Sequence, residues 1–262
     1  MQKIFILGLA LTAMSCTKVI DVDLDNSSPQ TVIESNLKEG VDSLRITITK
    51  TEDYFDESMP TGVSGAVVNL VDENGLRLNA QMAAPGTYWI DSVNAVSGKY
   101  YSLEVESDGK FTSATSYLPP VVPIDSLKFR YDDGKGFFEE GYYTYIRFKD
   151  PPGEDNYYRI RFFVNGEEEE GIRIMDDKFT DGSNRKVEFR FLDLEPEAGD
   201  QIRIELQSID PDVHKYYETL NDIIGGGGGG VAPGNPTTNL QGDIQLGYFG
   251  TYSSSVVQSV FP

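Results

Sequence analysis

The sequence of 262 residues has few of the side chains on which many catalytic and metal sites depend. It contains one cysteine, Cys16, and one histidine, His214. A single cysteine leaves no partner for an intrachain disulfide, a zinc site needs several cysteine or histidine ligands, and a Ser-His-Asp site would have to use His214. Because His214 stands between acidic residues at the start of a predicted helix, we expect it to be solvated. The sequence therefore predicts no catalytic residue, no metal ligand and no cofactor.

Basic side chains are also scarce. Lysine and arginine total 22 against 42 aspartates and glutamates, which gives a net charge of −20. Phosphate backbones are bound by basic surfaces, so the composition argues against a nucleic-acid partner. Hydrophobic residues make up 39% of the chain and aromatic residues 11%, which suits a packed core rather than an acidic disordered tail. The length suits two domains.

Long apolar runs are missing apart from one at the start of the chain. Residues 4–13 are apolar, follow Lys3, and are fewer than the ~20 residues of a membrane-spanning helix. This arrangement is typical of a signal peptide, which we place at residues 1–15. The segment 11–16 resembles a bacterial lipobox, with Ala13 where leucine is usual. It predicts lipidation of Cys16 and attachment of the mature chain to a membrane through that lipid. The alternative is an ordinary secretory signal.

The segment after the cysteine, residues 16–30, is interpreted as a tether. Aspartates alternate with apolar residues at 21–25, and polar residues and a proline follow. Two further interpretations remain open: a first edge strand, or a signal for export to the cell surface, because acidic residues directly after a lipidated cysteine resemble such signals.

The rest of the chain predicts an all-β fold with two β-sandwich domains. Between 31 and 118, seven short segments alternate apolar and polar residues, as half-buried strands do. They favour an immunoglobulin-like or transthyretin-like sandwich. The prolines within 119–124 predict a stiff linker, because proline cannot donate to a strand ladder. We expect a second sandwich over 125–262.

Turn residues separate several of these strands. The pairs Asn74-Gly75 and Asn165-Gly166 favour type I′ hairpin turns. Residues 177–188 match half of an EF-hand loop, but Phe179 occupies the third ligand position and a strand follows in place of a helix. A hairpin turn at Asp181-Gly182 is therefore the preferred interpretation.

One helix is predicted, over 211–224. Asp210 can cap it, Pro211 suits its first position, and apolar residues follow at helical spacing. These residues are Val213, Tyr216, Tyr217, Leu220, Ile223 and Ile224. Six glycines then begin a Gly-rich loop over 225–239, which lacks the Gly-Lys-Ser/Thr of a phosphate loop. It is either a flexible connection or a lid that contacts a ligand or partner.

Four aromatic doublets are spread along the chain: Tyr100-Tyr101, Phe137-Phe138, Tyr142-Tyr143 and Tyr157-Tyr158. In a strand, one ring of each doublet points inward and the other outward. An outward ring either packs on the sheet surface or stacks against a sugar or a partner.

Several segments in a fixed order resemble the marks of one family. They are residues 18–23 after the lipobox, 119–127, the Tyr216-Tyr217 pair, 235–239 and 247–250. In this respect the chain resembles a family of Bacteroidota outer-membrane lipoproteins classified only as a domain of unknown function. Such proteins are often encoded beside TonB-dependent receptors. The resemblance implies an accessory to an outer-membrane β-barrel, exposed at the cell surface, and it supplies no catalytic residue.

Together the sequence and the resemblance predict a lipid-anchored, non-catalytic binding or accessory subunit, whose ligand the sequence does not identify. The expected contact residues lie on the helix, on the Gly-rich loop and on the strand that follows: Tyr216, Tyr217, Asn235, Thr237, Asn239, Tyr248 and Phe249. Two alternatives stay open. One is a hydrolase of glycans or peptides that uses two carboxylates, and the other is a structural surface protein.

Overall fold

The computed structural model describes residues 28–52, 59–191, 194–225 and 234–262. Cys16, most of the predicted tether and residues 226–233 of the Gly-rich loop lie outside the described residues. Within the described ranges the chain forms seventeen strands and one helix, which confirms the predicted all-β class. None of the described segments forms a helix with the length and apolarity that a membrane crossing requires.

Eight strands precede the proline-rich segment. They are β1 (Thr31–Lys38), β2 (Gly40–Lys50), β3 (Val67–Asp72), β4 (Arg77–Asn79), β5 (Gln81–Ala84), β6 (Thr87–Ala95), β7 (Lys99–Ser107) and β8 (Lys110–Leu118). The remaining elements are β9 (Ile124–Asp132), β10 (Gly141–Lys149), β11 (Tyr157–Val164), β12 (Glu167–Glu168), β13 (Arg173–Asp176), β14 (Asn184–Phe189), β15 (Gln201–Ile209), α1 (Pro211–Ile224), β16 (Gln241–Gly242) and β17 (Leu246–Val260).

The strands form three sheets. The long sheet has the order β12-β11-β15-β17-β1-β2-β6-β5, and β13 also pairs with β11. The N-terminal small sheet has the order β16-β8-β7-β3-β4, and the C-terminal small sheet has the order β14-β10-β9. Each small sheet packs on one part of the long sheet. The arrangement is therefore two sandwiches that share a continuous sheet.

Strand β17 joins the two sandwiches. Its first residues pair in parallel with β1, from Leu246 to Tyr252, and its later residues pair antiparallel with β15, from Tyr252 to Val260. The segment 119–123 connects β8 of the N-terminal small sheet to β9 of the C-terminal small sheet. The long sheet, however, continues without a break from the first sandwich into the second. The division into two domains at 119–124 stays a prediction.

The first core lies between the long sheet and the N-terminal small sheet. Alternate residues of β1 and β2 point into it, as the period of two requires. The end of the chain also contributes to this core through Leu240, Ile244 and Phe249. The first sandwich is therefore completed by residues more than 110 positions beyond the proline-rich segment.

The second core lies between the long sheet and the C-terminal small sheet. Ile146 and Phe148 of β10 are fully buried against residues of β11 and β15. The edge-to-face contact of Phe148 with Tyr158, at 5.2 Å between ring centroids, joins the two layers. This inward face is therefore apolar as well.

The hairpin predictions fare differently. Asn165 and Gly166 have φ values of 52° and 91°, which confirms the primed turn between β11 and β12. The β3–β4 hairpin forms at Asn74-Gly75, but only the glycine has a positive φ, so type I′ is wrong there. The turn at Asp181-Gly182 connects β13 of the long sheet to β14 of a small sheet. The predicted hairpin is wrong, because the chain changes sheets at this turn.

The predicted helix is confirmed at both ends. The side chain of Asp210 accepts a hydrogen bond from the Asp212 N–H at 2.8 Å, and Pro211 begins the helix. The helix packs on the face of the long sheet that points away from the small sheets. His214 is 8% exposed, with its ring 5.0 Å from that of Tyr157. The prediction of a solvated His214 is wrong, because Tyr157 projects from β11 toward the helix.

Candidate functional site

Three of the expected contact residues meet between α1 and the long sheet. Tyr216 and Tyr217 project from the helix onto Tyr248 of β17, with ring centroids 4.2 Å and 5.5 Å from it. All three side chains are buried. We call this group the tyrosine cluster. Its rings fill the space beneath the helix, so they form an internal contact rather than an open surface.

A chain of hydrogen bonds runs through the tyrosine cluster. Asn36 of β1 donates its side-chain N–H to the Tyr248 hydroxyl at 2.6 Å, and the Tyr248 and Tyr217 hydroxyls are 2.6 Å apart. Arg159 of β11 donates to the Tyr217 hydroxyl at 2.8 Å and also stacks on its ring. Because β1 belongs to the first sandwich and β11 to the second, this chain connects the two halves through the helix.

Burial governs the ionisation of these hydroxyls. It raises the pKa of Tyr248 well above its ordinary value, and the neighbouring Tyr217 hydroxyl adds to the effect. Burial, together with the charge of Glu34, raises the pKa of Tyr216 to about 12. Both phenols stay neutral near pH 7, which suits hydrogen bonding within the cluster rather than acid–base chemistry.

The other expected contact residues do not join the tyrosine cluster. Asn239 donates to the backbone oxygen of Phe249 at 2.7 Å and accepts from its N–H at 3.1 Å. The backbone N–H of Thr237 donates to the hydroxyl of Thr219 on the helix at 2.9 Å. Phe249 is fully buried in the first core, and Asn235 is exposed. The segment 235–239 is therefore hydrogen-bonded to both β17 and α1.

A different surface has the properties expected for recognition. The outward face of the C-terminal small sheet carries lysine, arginine and tyrosine side chains at alternate positions of its three strands. We call this surface the basic face. It consists of Lys128, Arg130, Tyr143, Tyr145, Arg147, Lys149 and Lys186.

Tyrosine rings hold several of the cations in place on the basic face. The Lys186 ammonium lies 4.4 Å from the centre of the Tyr145 ring, and the Arg147 guanidinium lies 5.7 Å from it. Arg130 stacks on Tyr143 at 4.9 Å. Such contacts orient a cation without neutralising it. The positive charge of the face is therefore partly pre-organised.

Carboxylates neutralise only part of this charge. Arg130 pairs with Asp132 at 2.5 Å and with Glu188 at 2.8 Å. The contact with Arg130 lowers the pKa of Asp132, and the contacts with Lys186 and then Arg130 lower the pKa of Glu188. Lys186 shares Glu188. In the described part of the chain, Arg147 and its neighbours Lys128 and Lys149 form no ion pair. These three cations remain available to an anionic partner.

Exposed aromatic rings extend the basic face at the tip of the β9–β10 connection. Phe137 is fully exposed, and Phe138 is half exposed and contacts the Tyr143 ring at 5.3 Å. This doublet lies in a loop, so the expected inward and outward alternation is wrong here. In Tyr100-Tyr101 the alternation is confirmed, since Tyr100 is exposed and Tyr101 is buried.

One strand of the basic face has a recognisable pattern in the sequence. Tyr143, Tyr145, Arg147 and Lys149 occupy every second position of one strand. That pattern indicates an outward face on β10. Most of the positive charge of the face comes from the neighbouring strands, through Lys128 and Arg130 of β9 and Lys186 of β14. The pairing of these three strands is a tertiary property.

A family model described as a domain of unknown function (DUF4249) matches residues 17–257. The chain belongs to that family. The match covers both sandwiches of this DUF4249 protein, the helix and the residues of the basic face. The sequence matches no curated protein.

Solved structures with partial likeness to this DUF4249 protein are β-rich. A DUF4785 family protein from Legionella pneumophila is 14% identical, with 67% of this chain and 52% of that chain covered and a TM-score of 0.27. A two-domain fibronectin type III segment of chicken tenascin is 13% identical, with 70% and 91% covered and a TM-score of 0.23. The adhesin InvE of Yersinia pseudotuberculosis is 15% identical, with 68% and 55% covered and a TM-score of 0.23. This chain spans about half the length of the Legionella protein.

Proposed function

We propose that this protein is a lipid-anchored, non-catalytic binding module of the outer membrane, and that its basic face docks onto an acidic surface of a TonB-dependent receptor. The observation that carries the proposal is the concentration of unpaired cations on one sheet face of a chain whose net charge is −20. The lipobox-like segment ending at Cys16 supports the anchor. The resemblance to lipoproteins encoded beside such receptors supplies the class of partner.

Electrostatics would fix the orientation of docking. Most of the surface of a strongly acidic protein repels an acidic partner, whereas the basic face attracts it. Lys128, Arg147 and Lys149 would supply the attraction, because none of them forms an ion pair with a carboxylate of the described residues. Complementary charge of this kind raises the rate of association and suppresses wrong orientations.

The exposed rings at the tip would supply the apolar part of the contact. Aromatic side chains and arginine are enriched at protein interfaces, where they provide large contact area at low entropic cost. Phe137 and Phe138 are exposed, and Phe138 contacts the ring of Tyr143 on the basic face. Cations surrounding an aromatic edge are a suitable arrangement for a moderately polar interface.

The test is to purify the lipidated protein from its own outer membrane in mild detergent and to cross-link it through its lysines. We expect a β-barrel receptor in stoichiometric amount, with cross-links at Lys128, Lys149 or Lys186. Arg147→Glu should weaken the complex by about tenfold or more, and added salt should weaken it further.

The matched control is Lys110→Glu, which makes the same kind of charge reversal at an exposed position of the first sandwich. It should leave the complex intact. Recovery of the protein without a receptor, or equal loss with both variants, would contradict the proposal.

A further inference from the structure

Three carboxylates that belong to neither the basic face nor the tyrosine cluster lie together. Asp150 directly follows β10, and Asp177 and Asp181 belong to the turn between β13 and β14. One carboxylate oxygen from each residue lies within 4.8 Å of the other two. Asp150 is 0% exposed and Asp177 is 3% exposed, whereas Asp181 is exposed to solvent.

Hydrogen bonds hold two of these carboxylates in place. Asp150 accepts from the Tyr158 hydroxyl at 2.5 Å through Oδ1 and from the Gly182 N–H at 2.9 Å through Oδ2. Asp181 accepts from the Gly153 N–H at 2.8 Å. These donors hold the carboxylate oxygens in position, as hydrogen-bond partners of metal ligands commonly do.

The third carboxylate, that of Asp177, is compensated only in part, by the backbone N–H groups of Asn156 and of Asp177 itself. Oδ2 of Asp177 is buried and has no hydrogen-bond partner. Within the described ranges, no lysine, arginine or histidine forms an ion pair with any of the three aspartates. Burying an unpaired carboxylate is costly, and a second carboxylate beside it increases the cost. Burial and the charge of Asp150 accordingly raise the pKa of Asp177. A cation between the three groups would remove this cost.

We propose that Asp150, Asp177 and Asp181 bind a calcium ion. Calcium is bound by oxygen ligands at about 2.3–2.6 Å, so two ligands on opposite sides of one ion lie about 5 Å apart. The observed spread of no more than 4.8 Å fits this geometry. Magnesium binds at about 2.0–2.1 Å, demands a near-octahedral set and usually keeps several waters, so three carboxylates of which two are buried suit it less well.

Asn156 carries a further candidate ligand oxygen. The Asp177 N–H donates to the backbone oxygen of Asn156 at 3.2 Å, which places the two residues side by side. Oδ1 of Asn156 is buried and likewise has no hydrogen-bond partner. Amide oxygens are common calcium ligands, and water completes the set where solvent reaches Asp181.

This site is not the EF-hand that the spacing of 177–188 suggested in part. Glu188, the residue in the twelfth position, lies on the outward face of the C-terminal small sheet and pairs with Arg130 and Lys186. The ligands come instead from two loops distant in sequence. The ion would tie the C-terminal small sheet to the long sheet at one end of the second sandwich.

The test is calcium titration of the purified, folded chain by calorimetry and by thermal unfolding. We expect binding at least as tight as that of extracellular calcium modules, with a Kd of about 10⁻³ M or below. At calcium a hundredfold above Kd, Tm should rise by about 5–10 °C. Asp181→Asn, at an exposed position, keeps the Oδ1 that accepts from the Gly153 N–H and should weaken binding about tenfold, and Asp177→Asn should weaken it further.

The matched control is Asp108→Asn, the same substitution in an exposed turn of the first sandwich, and it should bind calcium as the parent chain does. The proposal is overturned if calcium at about 10 mM, well above the Kd range of such modules, produces neither heat nor a rise in Tm. An equal response to magnesium would overturn the assignment to calcium. A third result would also overturn the proposal: the parent chain binds no calcium, and Asp177→Asn is more stable than the parent. In that case a proton shared between the carboxylates would explain the cluster.

Discussion

Both small sheets pack on the long sheet, but their outward faces differ in the charge of their side chains. On the C-terminal small sheet, five cationic and two acidic side chains point outward from the strands. On the N-terminal small sheet, the outward positions are divided between serine, threonine and asparagine side chains and the apolar or aromatic side chains of Val67, Val71, Tyr100, Phe111 and Tyr117. Its outward charges are Glu104, Glu106 and one cation, Arg77, which Glu104 holds in an ion pair.

This comparison separates what the fold requires from what it leaves free. Both inward faces are apolar because each must be buried against the long sheet. The outward faces make no such contribution, so folding does not dictate their charge. A concentration of cations on one of them, in a chain of net charge −20, therefore points to an interaction rather than to stability.

The largest effect should come from the inward side of the C-terminal small sheet. Phe148→Ala should lower the free energy of unfolding by about 3–5 kcal/mol, because it removes a fully buried ring and leaves a cavity. Its neighbour Arg147 points outward, and Arg147→Ala should change that free energy by no more than about 0.5 kcal/mol. Urea denaturation measures both. Equal losses would show that the basic face is needed for folding.

The same experiment shows how far the two sandwiches depend on one another. Trp89, the single tryptophan, lies on β6 and reports on the first sandwich. Because β17 runs through both halves, we expect Phe148→Ala to shift the fluorescence transition of Trp89 as Leu103→Ala in the first core does. A Trp89 transition that is unaffected by Phe148→Ala would mean that the sandwiches unfold separately.

Local features of this fold could be predicted from the sequence. The strand alternation, the cap at Asp210 and the primed turn at Asn165-Gly166 depend on neighbouring residues, and the structure confirms them. The sheet to which each strand belongs could not be predicted. Strand β17 leaves one core for the other within fifteen residues, and no local pattern marks that change.

The candidate sites divide in the same way. The family resemblance indicated Tyr216, Tyr217 and Tyr248 together, and the structure brings them into contact. It could not show that they are buried, because that depends on where the helix packs. The carboxylate cluster combines residues from two loops about 30 positions apart, so spacing along the chain carried no usable signal.

A smaller effect should follow from breaking the connection between the halves. Tyr248→Phe removes the hydroxyl that accepts from Asn36 and contacts Tyr217, so both lose a partner. We expect a loss of about 1–2 kcal/mol in the free energy of unfolding, measured in urea. Tyr216→Phe is the matched control. Its ring stacks on that of Tyr248, and its hydroxyl forms no hydrogen bond with the described residues. A similar loss with both variants would assign the effect to packing.

The smallest effect should be a pH dependence of stability that originates at His214. Burial lowers the pKa of His214 below 6.5, although Glu218 and Asp176 oppose the change. The unfolded chain then binds a proton more readily than the folded one, so the contribution of the neutral imidazole is complete above pH 6.5 and is lost as the pH falls through the folded pKa. The gap in urea midpoint between the parent chain and His214→Gln should therefore narrow between pH 8 and about pH 5.5. Proton NMR can follow the single imidazole directly, and a titration midpoint at or above 6.5 would contradict the buried position of His214 against Tyr157.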